Sequence, residues 1–392
     1  MRVRAAVSRG SVRACAALLL LALFVARSSG QQLDLPEPLT IAPGVLLYHV
    51  KDPTLVTLEG PISIWLARLD PMRVELRAAL ANDEIMGTET VAGIAERHGA
   101  LAAINAGFFL ANGDPAGVLT LNGRLVSDTR RPRGAVGIAR DAGGVRLLFA
   151  RLRATATLVL QTGLTTRRAG IDGVDTTRVR GQLMLFTPSY HAHTDTAPGG
   201  LEWVVTGRPL RVVSGPHRTG KTAIPADGFV LSFGGDTLPP SLAGLRRGTR
   251  IALDVSYDPV EGEPKSWSIA QDIVGGAGLL VRDGRDIEDW AIEAFNDGFA
   301  ENRHPRTMIG TAADGTIWLV AVDGRQPQLS VGMSLLELRR LAHRLGLVNA
   351  LNLDGGGSTT MWAQGRVVNN PSDLTGPRKV SDALLVYSVT GR

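Results

Sequence analysis

The chain predicts an α+β fold of mixed and antiparallel β-sheets with few helices, gathered into a single compact domain. Three observations carry this expectation. Short apolar runs of strand character recur along most of the chain, glycine is frequent at 46 of 392 residues, and only two stretches show the apolar spacing of an amphipathic helix. Because helices join few of the strand-like runs, a doubly wound parallel sheet is disfavoured.

Residues 1–30 stand apart from this pattern. Arg2, Arg4, Arg9 and Arg13 precede an apolar run over 14–26, and Ser28-Ser29-Gly30 offers small residues for cleavage. That is the layout of a secretory signal peptide, too short to span a bilayer as a stable helix, so a secreted or periplasmic protein with no membrane insertion after cleavage is expected. Removing the segment takes away five arginines and no acid. The 42 basic residues fall to 37 against 37 acidic ones, and a nucleic-acid-binding role loses its support. The only cysteine, Cys15, leaves with it, so the remainder has no disulfide, thiolate nucleophile or cysteine metal ligand.

The elements follow in order. Residues 31–60 are proline-spaced, and 62–69 and 72–80 alternate like paired strands about an Asp70-Pro71 turn. A helix is expected over 89–98, stopped by Gly99, and a strand over 101–104 runs into Asn105-Ala106-Gly107-Phe108-Phe109. Strands are expected at 135–139, 155–160, 201–206, 229–233 and 250–257. Ser334-Leu335-Leu336-Glu337 is a capping box for a second helix whose stripe is Leu335, Leu338, Leu341, Ala342 and Leu345, with Gly346 at its stop. A buried strand over 348–353 follows. Residues 31–98 read as a strand-rich segment packed on a domain over 99–392. The two helix-strand units, ending in Asn105 and Asn352, echo one another, and Gly123-Arg124 and Gly365-Arg366 follow each at a hairpin. If the units are equivalent, their asparagines approach one site.

That site is written in Asn352-Leu353-Asp354-Gly355-Gly356-Gly357-Ser358-Thr359-Thr360. A strand end fixes a carboxylate rigidly, and three glycines let successive N–H groups turn toward one anion. The plain alternative is a glycine-rich hairpin or bulge. His191-Ala192-His193-Thr194-Asp195 opens like a metallohydrolase signature, but Thr196 stands where the next histidine belongs. Gly275-Gly276-Ala277-Gly278 is no dinucleotide loop, because a strand continues through 279–281. Ser358 lacks the Gly-x-Ser-x-Gly elbow of a serine hydrolase.

Residues 103–109, Arg306-Thr307-Met308-Ile309-Gly310, Val322-Asp323-Gly324-Arg325-Gln326, Ser330-Val331-Gly332-Met333, 351–360 and Val368-Asn369-Asn370-Pro371-Ser372 together resemble the phosphodiester glycosidase family, in order, over roughly 102–387. The resemblance implies a single catalytic domain in an exported protein that hydrolyses a sugar-1-phosphodiester, with a phosphate-linked glycan as partner and no cofactor or metal. It implies Asp354, Asp323 and Arg306 as catalytic residues. Asn105, Gly107, Thr307, Asn352, Gly355, Gly356, Gly357, Ser358 and Thr359 would surround substrate and phosphate, with Glu202 and Asp272 as further candidates. Asp354 would serve as nucleophile or base at the anomeric carbon. Arg306, after Pro305 at a strand start, would hold phosphate bidentately. A phosphate leaving group is weakly basic, so a second carboxyl acid is dispensable; Asp323, in an Asp-Gly turn, is the candidate if one is used. Two rival readings stay open: a non-catalytic phosphoglycan-binding protein, and a metal-dependent phosphoesterase using Asp323, Asp354 and His191 or His193.

Overall fold

Both expected helices begin and end where local chemistry directs. Ser334 Oγ accepts from Glu337 N at 3.2 Å while Glu337 Oε2 accepts from Ser334 N at 3.0 Å, so the capping box over helix Leu335–Arg344 is closed. Its stripe of Leu335, Leu338, Leu341 and Ala342 is fully buried, and Gly346 turns the chain at φ +73° into strand Leu347–Asn352. Helix Val91–His98 is capped by Thr90 and stopped by Gly99 at φ +64°. The computed structural model describes residues 32–389 apart from Leu58 and Asp297, so the segment expected to be a signal peptide lies outside the described residues. No described helix is long and apolar enough to cross a membrane.

Among the described residues the strands form mainly antiparallel sheets. The largest, of twelve strands, runs from Gly173–Val174 through Leu183–Phe186, Phe229–Phe233 and the long strands Arg250–Pro259, Gly144–Thr162 and Thr129–Asp141 to the hairpin Leu119–Leu121/Arg124–Ser127. Its two ends approach, with Val174 N donating to Asp128 Oδ1 at 2.9 Å, and the sheet curls into a nearly closed barrel. Trp203, Leu158 and Leu231 fill its interior. An eight-stranded sheet has at its centre Ile64–Leu69, Ile317–Val322, Arg306–Ala312 and Leu347–Asn352, packed under helix Leu335–Arg344. A five-stranded sheet runs Arg366–Val367, Met361–Ala363, Ala102–Asn105, Asp382–Ser388, Val74–Leu80.

One pairing expectation is corrected. Ile64–Leu69 and Val74–Leu80 are both strands but do not pair: the first lies between Val45–Val50 and Ile317–Val322, and the second pairs with Asp382–Ser388. Alternation assigns faces and leaves partners open, and each strand finds an apolar partner far along the chain. From Gln32 the chain forms one compact unit, with residues 32–98 supplying strands to three of its sheets. Strands expected at 135–139 and 155–160 extend to Thr129–Asp141 and Gly144–Thr162, the second pairing with the first through its N-terminal half and with Arg250–Pro259 and Thr165–Gly170 through its C-terminal half.

Candidate active site

The strand Leu347–Asn352 ends against the strand Ala102–Asn105 of another sheet, and Asp354 sits where they meet. Asp354 N donates to Ala106 O at 2.9 Å, and Asn105 Nδ2 donates to Asp354 O at 2.7 Å. Asn105 Oδ1 accepts from Thr307 Oγ1 at 2.9 Å and from Thr360 N at 3.1 Å, so one buried asparagine ties three segments together. Thr307 Oγ1 also lies 3.3 Å from Thr359 Oγ1. The two echoing units therefore do deliver their strand ends to one place. Asn352 is held less completely: its Nδ2 donates to Ala277 O at 2.8 Å, while its Oδ1 is buried with no partner among the described residues.

The glycine turn is tighter than a three-amide nest. Gly355 N donates to Asp354 Oδ1 and Gly356 N to Pro305 O, each at 2.9 Å, so only Gly357 N is without an acceptor among the described residues. Each glycine is required for a different reason. A Cβ on Gly355 would lie 2.7 Å from Pro305 O, and Gly356 adopts φ +62° with the Arg325 guanidinium 3.1 Å from where its Cβ would stand. On Gly357 a Cβ would collide with Arg378 Nη2 and Asp373 Oδ1. Two arginines thus close over the turn from opposite ends. Arg378 is held by Asp373 through Nε–Oδ2 at 2.8 Å and Nη2–Oδ1 at 3.0 Å, and exposed Arg325 lies 3.3 Å from His304 Nδ1.

Asp354 is pushed up to about 6, first by burial and then by the like charge of Asp382, against the Ser358 hydroxyl, the Gly355 amide and Arg378, which lower it. Ser358 Oγ faces the carboxyl short of hydrogen-bond geometry and has no other partner among the described residues. Asp382 is fully buried, accepts from Gly107 N at 2.6 Å and Ser381 Oγ at 2.8 Å, and is itself raised by burial. Gly107 gives it room, since a Cβ there would stand 3.1 Å from Asp382 Oδ2.

Three residues expected to act on substrate are engaged elsewhere. Arg306 is 2% exposed and folded inward: Nε donates to Met333 O at 2.9 Å and Nη2 to Phe299 O at 2.8 Å and Asn302 O at 2.9 Å, which leaves Nη1 alone without a partner among the described residues. Burial, then Arg325, lowers it to about 10. A bidentate grip on phosphate is not open to this guanidinium as it stands. Asp323 is a buried brace, accepting from Ser63 Oγ at 2.8 Å, Asn369 Nδ2 at 3.1 Å and Asn370 N at 2.8 Å. Burial raises it, and the carboxylate whose charge is felt at Asp354, in a smaller measure than burial, is Asp382. Asp272 accepts from Asn122 N at 2.8 Å and Ala78 N at 3.1 Å and joins two sheets, while neighbouring Gly275 carries its carbonyl to Gly107.

Glu202 lies in the barrel, ringed by the hydroxyls of Thr194, Thr196, Thr222 and Ser232 and by Arg178 at 3.6 Å. The nearby histidines are occupied locally: His191 Nδ1 pairs with Glu84 at 2.8 Å and stacks edge-on with His193. Among the described residues no group of three histidine or acidic side chains is arranged to hold a metal. Arg325, Arg378 and Asp382 are the residues that sequence reasoning did not assign. The signal for Asp382 was present in mirror image, since it opens the apolar run Ala383-Leu384-Leu385-Val386 as Asp354 closes one.

A buried carboxyl of raised pKa at a strand end, with an arginine at each side of a glycine turn, defines a site for chemistry beside an anionic group. Residues 200–387, just under half of the chain, match the family model described as phosphodiester glycosidase. N-acetylglucosamine-1-phosphodiester alpha-N-acetylglucosaminidase of Bos taurus is 36% identical over 206 residues, 48% of this chain and 36% of that protein. The Mus musculus protein of the same name is 28% identical over 177 residues, 41% of this chain and 33% of that one. An uncharacterized SPbeta prophage-derived protein of Bacillus subtilis is 41% identical over 84 residues, 21% and 13% of the two chains. The chain thus spans about a third or less of these relatives' length. A hypothetical protein from Synechocystis superposes with a TM-score of 0.74 at 25% identity, covering 91% of this chain and 64% of its own. A candidate exported protein from Burkholderia pseudomallei K96243 gives 0.68 at 28%, covering 83% and 74%.

Proposed function

We propose that the chain is an exported hydrolase that cleaves the sugar C–O bond of a sugar-1-phosphodiester in an envelope or extracellular glycan. The observation that carries this is Asp354, a carboxyl raised to about 6 beside a glycine turn flanked by Arg325 and Arg378. At neutral pH it is mostly ionised yet poorly solvated, which favours attack on the anomeric carbon or removal of a proton from water there. The C–O electron pair leaves on the phosphate oxygen. A phosphodiester monoanion then becomes a phosphomonoester dianion, so negative charge grows on the leaving side. Arg325, Arg378 and the free Gly357 N–H are placed to stabilise that charge, and no proton need be delivered. Burial keeps Asp354 basic, with a smaller contribution from the like charge of Asp382, which also holds Gly107 against the site.

Hydrolysis of sugar-1-phosphodiesters in ¹⁸O-labelled water tests this reading. Label on the sugar hemiacetal, with turnover unchanged by chelators, is expected. Label on phosphate would assign the reaction to P–O cleavage and overturn it; saturable binding with no turnover of any member of the panel would make the protein a phosphoglycan binder.

A further inference from the structure

The barrel contains a second recess, of about 390 Å³, apart from the Asp354 site. Its walls include Ala156, Leu185, Leu210, Phe229, Leu253 and Val255. Register explains why the space is there. Ala156 stands opposite Val255 and Leu158 opposite Leu253, so these four share the inward face, but position 156 carries only a methyl group. Val255 is left 42% exposed although it lies on the face that elsewhere forms the barrel core. Protein interiors ordinarily close such gaps, and an open recess with apolar walls gains by giving up its water to an apolar ligand. Barrels of this class use their mouths in that way.

The rim has a different chemistry. Arg124 and Arg208 both line the recess, both are exposed, and neither has an ion-pair or hydrogen-bond partner among the described residues. Asp227 is the third charged group on the rim, so the mouth is net positive. Beyond Arg124 and Ser189 the recess continues into a cleft of about 470 Å³ with polar walls that include Asn122, Asp83 and His98. The order from inside outward is therefore apolar, cationic, polar.

We propose that this recess binds a single-chain amphiphile with an anionic head, its hydrocarbon between Ala156, Leu185, Phe229, Leu253 and Val255 and its head at Arg124 and Arg208. The apolar walls supply affinity by removing hydrocarbon from water, and the unpaired guanidiniums select the sign of the head. The site is independent of Asp354 and does not rest on the reaction proposed above.

Titration calorimetry on the full chain, with probes kept below their micelle concentrations, tests it. Laurate and dodecyl phosphate are expected to saturate at one per chain. Dodecyltrimethylammonium, with the same chain and opposite head, is expected to bind at least about tenfold more weakly, and butyrate and inorganic phosphate not measurably. The double change Arg124→Ala, Arg208→Ala should abolish the discrimination between heads. Ala156→Phe should remove binding with circular dichroism unchanged, and Val255→Arg, at the exposed mouth, gives the same test without touching the interior. Absence of saturable laurate and dodecyl phosphate binding, equal affinity for the cationic probe, or binding that survives both Ala156→Phe and Val255→Arg would overturn the proposal.

Discussion

Asp354→Asn should cost the protein its turnover and make it more stable, and the size of the gain follows from the carboxyl's surroundings. In the unfolded chain the group titrates near 3.8, and in the folded site at about 6. A carboxyl raised on folding binds protons more tightly in the native state, so stability falls as pH climbs from 3.8 to 6 and is flat above. Two units and a fraction correspond to about 3 kcal/mol at 1.36 kcal/mol per unit. Asparagine keeps the shape and an oxygen for the Gly355 N–H, and it has no charge to desolvate. The variant should gain about 3 kcal/mol at pH 7.5 and only about 0.6 kcal/mol at pH 4, where the wild-type carboxyl is protonated in the fold. Urea denaturation of both proteins at the two pH values measures this directly. Turnover should fall by at least about a hundredfold in the same preparation. A variant of unchanged or lower stability at pH 7.5, or a gain equal at both pH values, would refute the claim that burial strains this carboxylate.

Three further outcomes are expected. Turnover should fall as pH drops through about 6; Asp382→Asn, which removes a like charge, should move that limb to lower pH, and Arg378→Ala should move it higher, as a pH-rate profile would show. Gly357→Ala places a methyl where Arg378 and Asp373 pack, so kcat/KM should drop at least about tenfold with a small loss of stability in a thermal melt. Glu337 accepts from Thr57 N at 2.7 Å, Arg303 and Ser334 and is lowered to about 2, so Glu337→Gln should cost about 3 kcal/mol at neutral pH, a loss that shrinks as pH falls from 4.5 toward 2 in acid denaturation.

What could be read in advance was local. The capping box at Ser334 and the glycine stops at 99 and 346 each depend on residues within four positions of one another, and each stands as expected. Asp354 at a strand end was legible for the same reason. Arg306 was not, because its environment comes from carbonyls of Phe299, Asn302 and Met333 in an irregular segment that has to find donors somewhere. Asp323 looked like a turn carboxylate of the site, yet its ligands Ser63, Asn369 and Asn370 come from 260, 46 and 47 residues away. The mates of Val74–Leu80 and of Ala102–Asn105 lie beyond residue 360, where periodicity carries no information about distance.

Asn105 reaches Asp354 across 249 residues of chain, and this makes the protein hard to divide. Residues 200–387, the part that matches the family, omit Asn105, Gly107 and the whole strand Ala102–Asn105 that lies between Met361–Ala363 and Asp382–Ser388. Excised alone, that stretch would carry two raw ladder edges and an Asp354 carbonyl with nothing to hold it. The heritable unit recognisable by likeness is therefore smaller than the mechanical one. Diversity within such a family has to be sought by changing loops and barrel walls in place, because shuffling the matched stretch onto a foreign leader would leave its central carboxylate without its anchor.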